Sequence, residues 1–550
     1  MSKKSKKVKQ NIKDKSLLGV EVEFKEQGQD VAEECHTKTL DRDSVNVKET
    51  YEEVVYSSKA FTNTAISSLA GCAKMYGLDP VPLEKAKVLE LGCSFGGNII
   101  SQALYHPDTE FVGVDLSSTQ IKHGMEIIES MKLTNIRLEE KNILDIDEDF
   151  GTFDYIIVHG IWSWVPDIVK DKILSICNTN LSDRGIAYVS YNTYPGWKRL
   201  EQFRNIMLYA TRDKQELSLA ERTIYGKEVL QLLGQTMNLD SNVRQNQGYK
   251  IGNLENVLTK NNYYIAHEYF EIFNDPVYFH EFAARAKEQG CAYVGDCAMH
   301  LSHVTWLPEG IKDNLIRLAN GDTIAKEQYY DYVYDTQFRC SLLTKGCNEH
   351  SIRRDESVDN DTIRSLYFHT NESSSIANTE TNTFYHAVKV VMDRGVSFNS
   401  QDVIDYLANT YPGLTINEGV ILSRLLYLTI INKLHVLVEP ITSITFEDHN
   451  TYVPQRFIDY ATSLVEGNAN TYIVAANMLN ETSDRIDLGV LYVMRLLSAP
   501  MTKQELIEKV RADLTVTRKT KDNLEYHVSA EHYVDEVLTI LQHFGFLQKV

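Results

Sequence analysis

Short apolar segments alternate with amphipathic segments across the first half of the chain. The apolar segments, typical of buried strands, cover residues 87–91, 110–114, 136–140, 153–159, 186–192 and 291–294. Apolar residues at helical spacing cover residues 63–76, 98–104, 118–131, 167–177 and 278–289. Repeated alternation of this length predicts a parallel, doubly wound α/β sheet with helices on both faces.

A polar stretch over residues 199–265 interrupts this alternation after the fifth strand. Its periodicity is helical, and the strand–helix pattern resumes at residue 278. In open α/β sheets, ligands bind outside the carboxyl ends of the strands, where such connections emerge. We therefore predict a helical insertion that acts as a lid or substrate platform over a ligand site.

The C-terminal part shows a different pattern, in which three helices precede a short extended segment. The pattern occurs twice, at residues 383–392, 400–410, 417–432 and 434–438, and at 487–497, 502–510, 531–544 and 546–550. Thr502 and Glu505 have the spacing of a capping box, and Ser400 is a predicted N-cap. The predicted organisation is a tail at 1–50, an α/β domain at 51–300, a connecting region at 301–375, and α+β winged-helix-like modules at 376–450 and 451–550.

The charge of the chain is strongly acidic, at −20 over 550 residues. Residues 1–15 hold seven lysines against one aspartate, which leaves about −26 for the remainder; this basic tail is predicted to be disordered. An acidic surface repels nucleic acid and attracts basic protein segments, although it also serves solubility. Positive charge gathers only at 511–521, so we predict a protein-interaction or homodimerisation role for the C-terminal modules and no nucleic-acid binding.

Cysteine usage and hydropathy indicate where the protein acts. The eight cysteines are scattered, as expected in a reducing compartment. Cys291, Cys297 and His300, like the similar set at 340–350, lack the spacing of zinc knuckles, so no metal site is predicted. No apolar run reaches the ~18 residues that span a membrane, and the lysine-rich N-terminus lacks a signal segment. We expect a cytoplasmic protein without stable membrane insertion, which leaves non-classical export open.

The turn after the first strand predicts a ligand site. Gly92, Gly96 and Gly97 lie between strand 87–91 and the next helix, where free backbone N–H groups meet the positive helix end. Asp115 ends the second strand, 18 residues after Gly97, about the spacing at which an acid meets a ribose hydroxyl. A dinucleotide enzyme, or a doubly wound protein with a different pocket, would share this geometry.

The segment from Glu90 to Asn98, Glu-Leu-Gly-Cys-x-x-Gly-Gly-Asn, resembles the first motif of the class I S-adenosylmethionine methyltransferases. The resemblance implies that Glu90 helps to hold the methionine end of the cofactor and that Asp115 accepts both ribose hydroxyls. It also implies that the loop after the third strand contacts the adenine. Ser94 stands where the family usually has glycine. The candidate cofactor-binding residues are Tyr51, Glu90, Gly92, Ser94, Gly96, Asn98, Asp115, Leu116, Asn142, Ile143, His159 and Gly160.

The ends of strands four and five are aromatic and amide-rich, which favours an active-site wall over packing alone. Trp162 and Trp164 follow the fourth strand, and Tyr191 and Asn192 end the fifth. The insertion returns to the site through residues 266–271, which supply Glu268 and Tyr269 as candidates to orient the acceptor. Read more simply, that return segment is a solvated loop.

Several stretches together resemble the bacterial methyltransferases with a C-terminal regulatory region, and most of all the rickettsial protein lysine methyltransferases. These stretches are residues 51–56, 90–98, 113–124, 159–166, 190–197, 267–270 and 327–343. The resemblance implies methylation of lysines on a bacterial outer-membrane surface protein, with catalytic residues Trp162, Trp164, Tyr191, Asn192, Glu268 and Tyr269. Trp162 stands where many relatives have tyrosine. A small-molecule methyltransferase and a non-enzymatic winged-helix regulator remain the alternatives.

Overall fold

The structure is a computed structural model that describes most of the chain. The described residues are 58–239, 241–304, 307–370, 382–394, 397–466, 473–519 and 525–550. The predicted tail and Tyr51 lie outside them. No helix in these ranges is both long and apolar enough to cross a lipid bilayer.

Eight strands within the described ranges form one sheet at the centre of the α/β domain. They are β1 (Lys87–Leu91), β2 (Glu110–Asp115), β3 (Ile136–Glu140), β4 (Phe153–Val158), β5 (Leu181–Tyr194), β6 (Val277–Tyr278), β7 (Cys291–Asp296) and β8 (Phe338–Lys345). Their order is β3-β2-β1-β4-β5-β8-β7, and β6 pairs with β5. β1 to β5 are mutually parallel, as predicted.

The predicted strands of this sheet did not include β8 or the two-residue β6. β8 runs antiparallel between β5 and β7, so the sheet is mixed rather than wholly parallel. Residues 301–375, predicted as a connecting region, therefore supply an inner strand of the sheet. β5 also begins earlier than the predicted 186–192: it starts at Leu181, and Ser182 to Gly185 form an irregularity within the strand, where the pairing register shifts.

Helices cover the sheet near the predicted positions. They are α1 (Ile66–Met75), α2 (Gly97–Tyr105), α3 (Ser118–Ser130) and α4 (Asp167–Thr179). The predicted insertion is helical, with α5 (Lys198–Ala210), α6 (Leu219–Leu239), α7 (Ser241–Asn246), α8 (Gly248–Thr259) and α9 (Asn262–Phe270). Three helices follow it: α10 (Phe279–Glu288), α11 (Glu309–Ala319) and α12 (Thr323–Tyr334).

The first C-terminal module combines helices with a two-stranded ribbon. Its elements are α13 (Asn360–Arg364), β9 (Tyr367–His369), α14 (Thr383–Met392), α15 (Ser400–Thr410), α16 (Glu418–Ile430) and β10 (His435–Leu437). β10 pairs antiparallel with β9. The predicted cap Ser400 is wrong by one residue: the Asn399 side chain accepts the hydrogen bond from the Asp402 backbone N–H, so Ser400 is already inside the helix.

The second module carries a β-hairpin wing that the helical pattern did not reveal. Its elements are β11 (Thr451–Tyr452), α17 (Gln455–Val465), α18 (Leu488–Leu496), α19 (Lys503–Asp513), β12 (Val516–Lys519), β13 (Glu525–Val528), α20 (Ala530–His543) and β14 (Gln548–Lys549). The capping box of Thr502 and Glu505 is present. Arg511 and Arg518 pair with Glu531 and Glu536 of α20, so much of the positive charge noted at 511–521 is neutralised within the module.

This module docks on the α/β domain. The Tyr105 hydroxyl of α2 donates to the Phe544 carbonyl at 2.9 Å, and the hydroxyls of Ser130 and Ser463 lie 2.7 Å apart. Buried apolar side chains form one continuous cluster that runs from α1 and α2 to α17, α18 and α20. The α/β domain and the C-terminal module therefore share a core.

Candidate functional site

A cavity of about 430 Å³ opens at the carboxyl ends of β1, β2 and β4. Nine of the predicted site residues line it: Glu90, Gly92, Ser94, Asn98, Asp115, His159, Gly160, Trp164 and Glu268. Ser58, Lys59, Phe61, Cys93, Gln120, Ile161, Asn261, Tyr263, Tyr264 and His267 complete the lining. The insertion thus closes over the glycine turn, as the sequence predicts.

The glycine turn owes its shape to left-handed backbone. Gly92 and Gly96 have φ values of 73° and 80°, and Ser94 between them has a φ of 53°. L-residues adopt this region at a cost, which is the physical reason for glycine at position 94 in the family that this motif resembles. At Gly92 a Cβ would also lie 2.4 Å from Ile161 Cδ1, so a side chain there would push into the wall of the cavity.

Glu90 is a buried carboxylate with half of its hydrogen bonding unsatisfied. Its Oε1 accepts a bond from Asn98 Nδ2 at 2.6 Å. Its Oε2 has no partner among the described residues. Burial raises the pKa of Glu90 to about 8, against the opposing effect of the Asn98 bond, and the nearby Asp115 raises it further. A cationic group placed in the cavity would restore the charged form.

Asp115 ties the second strand to the glycine turn. Its carboxylate accepts hydrogen bonds from the Ser94 N–H at 2.8 Å and the Ser117 N–H at 2.9 Å. Burial raises the pKa of Asp115, while these bonds and one from the Leu116 backbone lower it. An ionised carboxylate has about four lone-pair sites, so it can accept further bonds from ligand hydroxyls.

His159 and Phe61 form an aromatic side of the cavity, with their ring planes tilted by 35°. Their ring centroids lie 3.8 Å apart. His159 Nδ1 lies 2.9 Å from the Tyr188 hydroxyl, and burial lowers the pKa of His159 to about 4. The imidazole is therefore neutral at physiological pH and offers a surface for stacking.

Glu268 faces the same cavity from the insertion. It lies on α9 rather than in a solvated loop. Burial raises the pKa of Glu268 to about 7, while a hydrogen bond from the Asn192 side chain lowers it. Asn274 links the two: its Nδ2 donates to the Glu268 carbonyl at 2.9 Å, and its Oδ1 accepts from Asn192 Nδ2 at 3.2 Å. Asn192 therefore holds the Glu268 carboxyl group in place by this hydrogen bond.

Three predicted acceptor residues belong to packed cores instead. Trp162 is fully buried against Phe282 and Tyr191, and the Tyr191 ring stacks on Phe282 at 4.0 Å. Tyr269 lies in the apolar core of the insertion. None of these three aromatics lines the cavity. This corrects their predicted place in the acceptor wall, where Trp164 and Glu268 remain; Asn192 lies behind Glu268 and does not line the cavity.

The remaining cofactor candidates lie at the same edge of the sheet without lining the cavity. Gly96 is the N-cap of α2, Leu116 follows β2, and Asn142 caps a short 3₁₀ helix, Ile143–Asp145, by accepting from the Leu144 N–H. Their roles stay predictions. The sequence analysis did not include Phe61, Tyr263 and Tyr264, which also line the cavity. Tyr263 and Tyr264 could have been found from their position directly before the return segment, whereas nothing in the local sequence pointed to Phe61.

The chemistry of these donors and acceptors fits a ligand with a cationic end and hydroxyl groups. Glu90 Oε2 and Ser94 Oγ are buried and unpartnered among the described residues, and a Cβ at Gly160 would meet nothing within 4 Å. The described part of the chain brings no three His, Cys, Asp or Glu side chains together as a metal site.

Sequence models of three families match the chain. A methyltransferase domain matches residues 83–237, a predicted methyltransferase regulatory domain matches 261–345, and a winged helix domain matches 443–548. An uncharacterized protein of Rickettsia prowazekii is 35% identical over 315 residues, which are 57% of this chain and 55% of that relative. A second one is 36% identical over 242 residues, 44% of this chain and 95% of that relative.

The chain therefore spans about half the length of the first of these relatives and almost all of the second. The chain belongs to the class I S-adenosylmethionine-dependent methyltransferases. The structure of PKMT2 from Rickettsia typhi matches with a TM-score of 0.73 and 25% identity, over 89% of this chain and 99% of that protein. The same protein in complex with AdoHcy matches with a TM-score of 0.73 and 24% identity.

These matches confirm the predicted fold class and cofactor. The methyltransferase domain carries the glycine turn, and S-adenosylmethionine is the cofactor of the family to which the chain belongs. The winged-helix prediction is confirmed for the C-terminal module, whereas the module at 376–450 stays a prediction. The regulatory family begins at residue 261, earlier than the predicted regulatory modules, and so includes the α9 wall of the cavity together with β7 and β8.

Proposed function

We propose that this methyltransferase transfers a methyl group to lysine side chains of a protein, and that lysines of a bacterial outer-membrane surface protein are its natural acceptors. The observation that carries the proposal is the position of Glu268. A carboxyl group with a pKa near 7 faces the same cavity as Glu90 and Asp115. The similarity to PKMT2 over nearly the whole chain supports the same assignment.

The glycine-turn side of the cavity would hold the cofactor. Asp115 accepts the ribose hydroxyls, Glu90 Oε2 faces the cationic methionine end, and the His159–Phe61 surface provides apolar contact. S-adenosylmethionine, when bound, supplies a methyl group already activated for transfer. The chain then has to bind the acceptor amine, remove a proton from it and exclude water.

Glu268 is the group that accepts the proton of the lysine ammonium. A lysine ammonium has an ordinary pKa of about 10.4 and must become neutral before it can react. The Glu268 carboxylate attracts the ammonium and can accept its proton, while Asn192 holds the carboxylate in place. Trp164, Tyr263 and Tyr264 line the approach and replace water around the amine, which favours its neutral form.

The test is incubation of the full chain with labelled S-adenosylmethionine and candidate surface proteins, followed by mapping of the modified residues by mass spectrometry. We expect label on lysine Nζ, and a loss of at least ~tenfold in turnover for Glu268→Gln, equivalent to ~1.4 kcal/mol of barrier, with cofactor affinity retained. Label on a carboxylate oxygen, or on a small molecule alone, would overturn the lysine assignment and leave methyl transfer standing.

A further inference from the structure

A turn of the C-terminal module contacts residues that line the cofactor side of the cavity. Residues 473–482 connect towards α18, and Asn477 Oδ1 fixes their turn by accepting from the backbone N–H groups of Leu479 and Glu481 at 2.9 and 3.0 Å. Asn480 sits at the tip with a φ of 59°, a conformation that asparagine tolerates better than most residues. Its side chain is 1% exposed.

The Asn480 side chain is bonded mainly to α2, and its Nδ2 also lies 3.3 Å from the Thr64 hydroxyl oxygen. Its Nδ2 lies 3.0 Å from the Asn98 carbonyl and 2.9 Å from Asn98 Oδ1. Its Oδ1 accepts from the Ser101 hydroxyl at 2.7 Å. A residue almost 400 positions away in sequence thus binds the first turn of the helix that follows the glycine turn.

Asn480 is one of three donors that together fix which way the Asn98 amide faces. Asn98 Oδ1 accepts from Asn480 Nδ2 at 2.9 Å, from the Phe61 N–H at 3.0 Å and from the Thr64 hydroxyl at 2.8 Å. Because donors surround the oxygen, the amide nitrogen has to point the other way. There it donates to Glu90 Oε1 at 2.6 Å, the bond that holds the Glu90 carboxyl group at the cavity.

A second contact of the same turn supports the cavity wall. Ile473 forms an isolated β-bridge with Ser58, and the Val474 N–H lies 3.3 Å from the Ser58 carbonyl. Ser58 itself lines the cavity, and its hydroxyl accepts from the Gly97 N–H at 2.9 Å. The turn therefore supports the site through both Asn98 and Ser58.

We propose that Asn480 is a positioning residue for cofactor binding, which orients Asn98 and through it Glu90. The inference rests on the proposed cofactor site, in which Glu90 meets the amino-acid end of the ligand. It follows that cofactor affinity depends on the docking of the C-terminal module. A partner that moves this module would change the affinity without touching the cavity.

The test compares two ligands on the full chain. AdoHcy carries the amino-acid end, whereas 5′-methylthioadenosine keeps the nucleoside and sulfur but lacks that end. Asn480→Gly keeps the left-handed backbone without strain and removes the bonds to Asn98. Because Asn98 then no longer holds Glu90 in place, we expect the calorimetric Kd for AdoHcy to rise about tenfold, which corresponds to the loss of one hydrogen bond to a charged group. The Kd for methylthioadenosine should change less than twofold.

The matched control is Ser101→Ala, which removes the donor to Asn480 Oδ1 and leaves the bonds from Asn480 Nδ2 to Asn98 intact; both ligands should bind it as they bind the wild type. Asn480→Asp, of nearly the same size but without the amide donor, should repeat the ligand-selective loss and serves if the glycine variant does not fold. Equal losses for both ligands, or no loss, would overturn the inference. If the wild-type chain bound neither ligand, the proposed cofactor site itself would fail.

Discussion

Glu90 and Glu268 show how one cavity gives two buried carboxyl groups different tasks. Each has one side-chain amide as support, Asn98 for Glu90 and Asn192 for Glu268. Burial raises both pKa values, to about 8 and about 7. The first group is suited to pair with a cationic ligand group, whereas the second is suited to exchange a proton near neutral pH.

Asp115 offers a direct check of the cofactor side. Asp115→Asn removes the charge and one acceptor, and bonds to a charged group are worth ~1.5–3 kcal/mol each. We expect the Kd for AdoHcy to rise by roughly 100-fold, measured by calorimetry. Asp154→Asn is the control, because Asp154 also accepts a backbone N–H, that of Lys87, at the opposite end of β1. An unchanged affinity in a folded Asp115 variant would contradict the assignment of the ribose site.

The pH dependence of turnover should reveal Glu268. Its carboxyl group is protonated below its pKa of about 7 and cannot then accept a proton, so turnover should rise with pH through this range. Glu90, with a pKa of about 8, and the acceptor ammonium also lose their protons at higher pH, and both changes favour the reaction. Glu268→Gln should remove the limb near pH 7 and keep the later rise. A limb that persists in this variant would assign it to another group.

At the level of residues, the sequence predicted the glycine and carboxyl groups of the cavity better than its aromatic residues. Glycines and acids at strand ends identify the cofactor side because their role follows from local backbone geometry. Trp162 and Tyr191 looked equally suited to a cavity wall, yet they fill the core with Phe282. Which side of an irregular strand end faces the cavity depends on neighbouring elements, and the local pattern does not contain that information.

At the level of elements, β8 explains why the domain boundary was misplaced. Its strand contains Arg339, which breaks the apolar pattern, although Arg339 is fully buried. The guanidinium pairs with Asp331 at 2.9 Å and Glu327 at 3.1 Å, and its plane lies over the Phe279 ring. Only tertiary pairing makes a charged residue compatible with an inner strand, so composition alone favoured a connecting segment.

The start of α15 allows a local test of the corrected cap. Asn399→Ala removes the side chain that accepts from the Asp402 N–H, which typically costs ~1 kcal/mol. We expect amide exchange in the first turn of α15 to accelerate about fivefold. Ser400→Ala, one residue later, should leave these amides unchanged. If the serine variant showed the larger effect, Ser400 would be the cap after all.

At the level of the whole molecule, the C-terminal module is part of the methyltransferase rather than an appended domain. It shares a core with α1 and α2 and places Asn480 behind the cofactor motif. Its helices were predictable from their periodicity and caps. Its docking was not, because contacts between Asn98 and Asn480 leave no trace in either local pattern. Homodimerisation and the absence of nucleic-acid binding stay predictions.

Coupling between two sites is reciprocal, so a cofactor that favours the arrangement of Glu90, Asn98 and Asn480 must also favour docking of the turn at 473–482. We expect saturating AdoHcy to slow amide hydrogen exchange in this turn about fivefold or more, the lower end of typical coupling. The wing strands β12 and β13 provide an internal control that should not change. In Asn480→Gly, the slowing should persist in residues 90–98 and disappear from the turn. Slowing confined to the glycine turn of the wild-type chain would show that the C-terminal module is a passive neighbour.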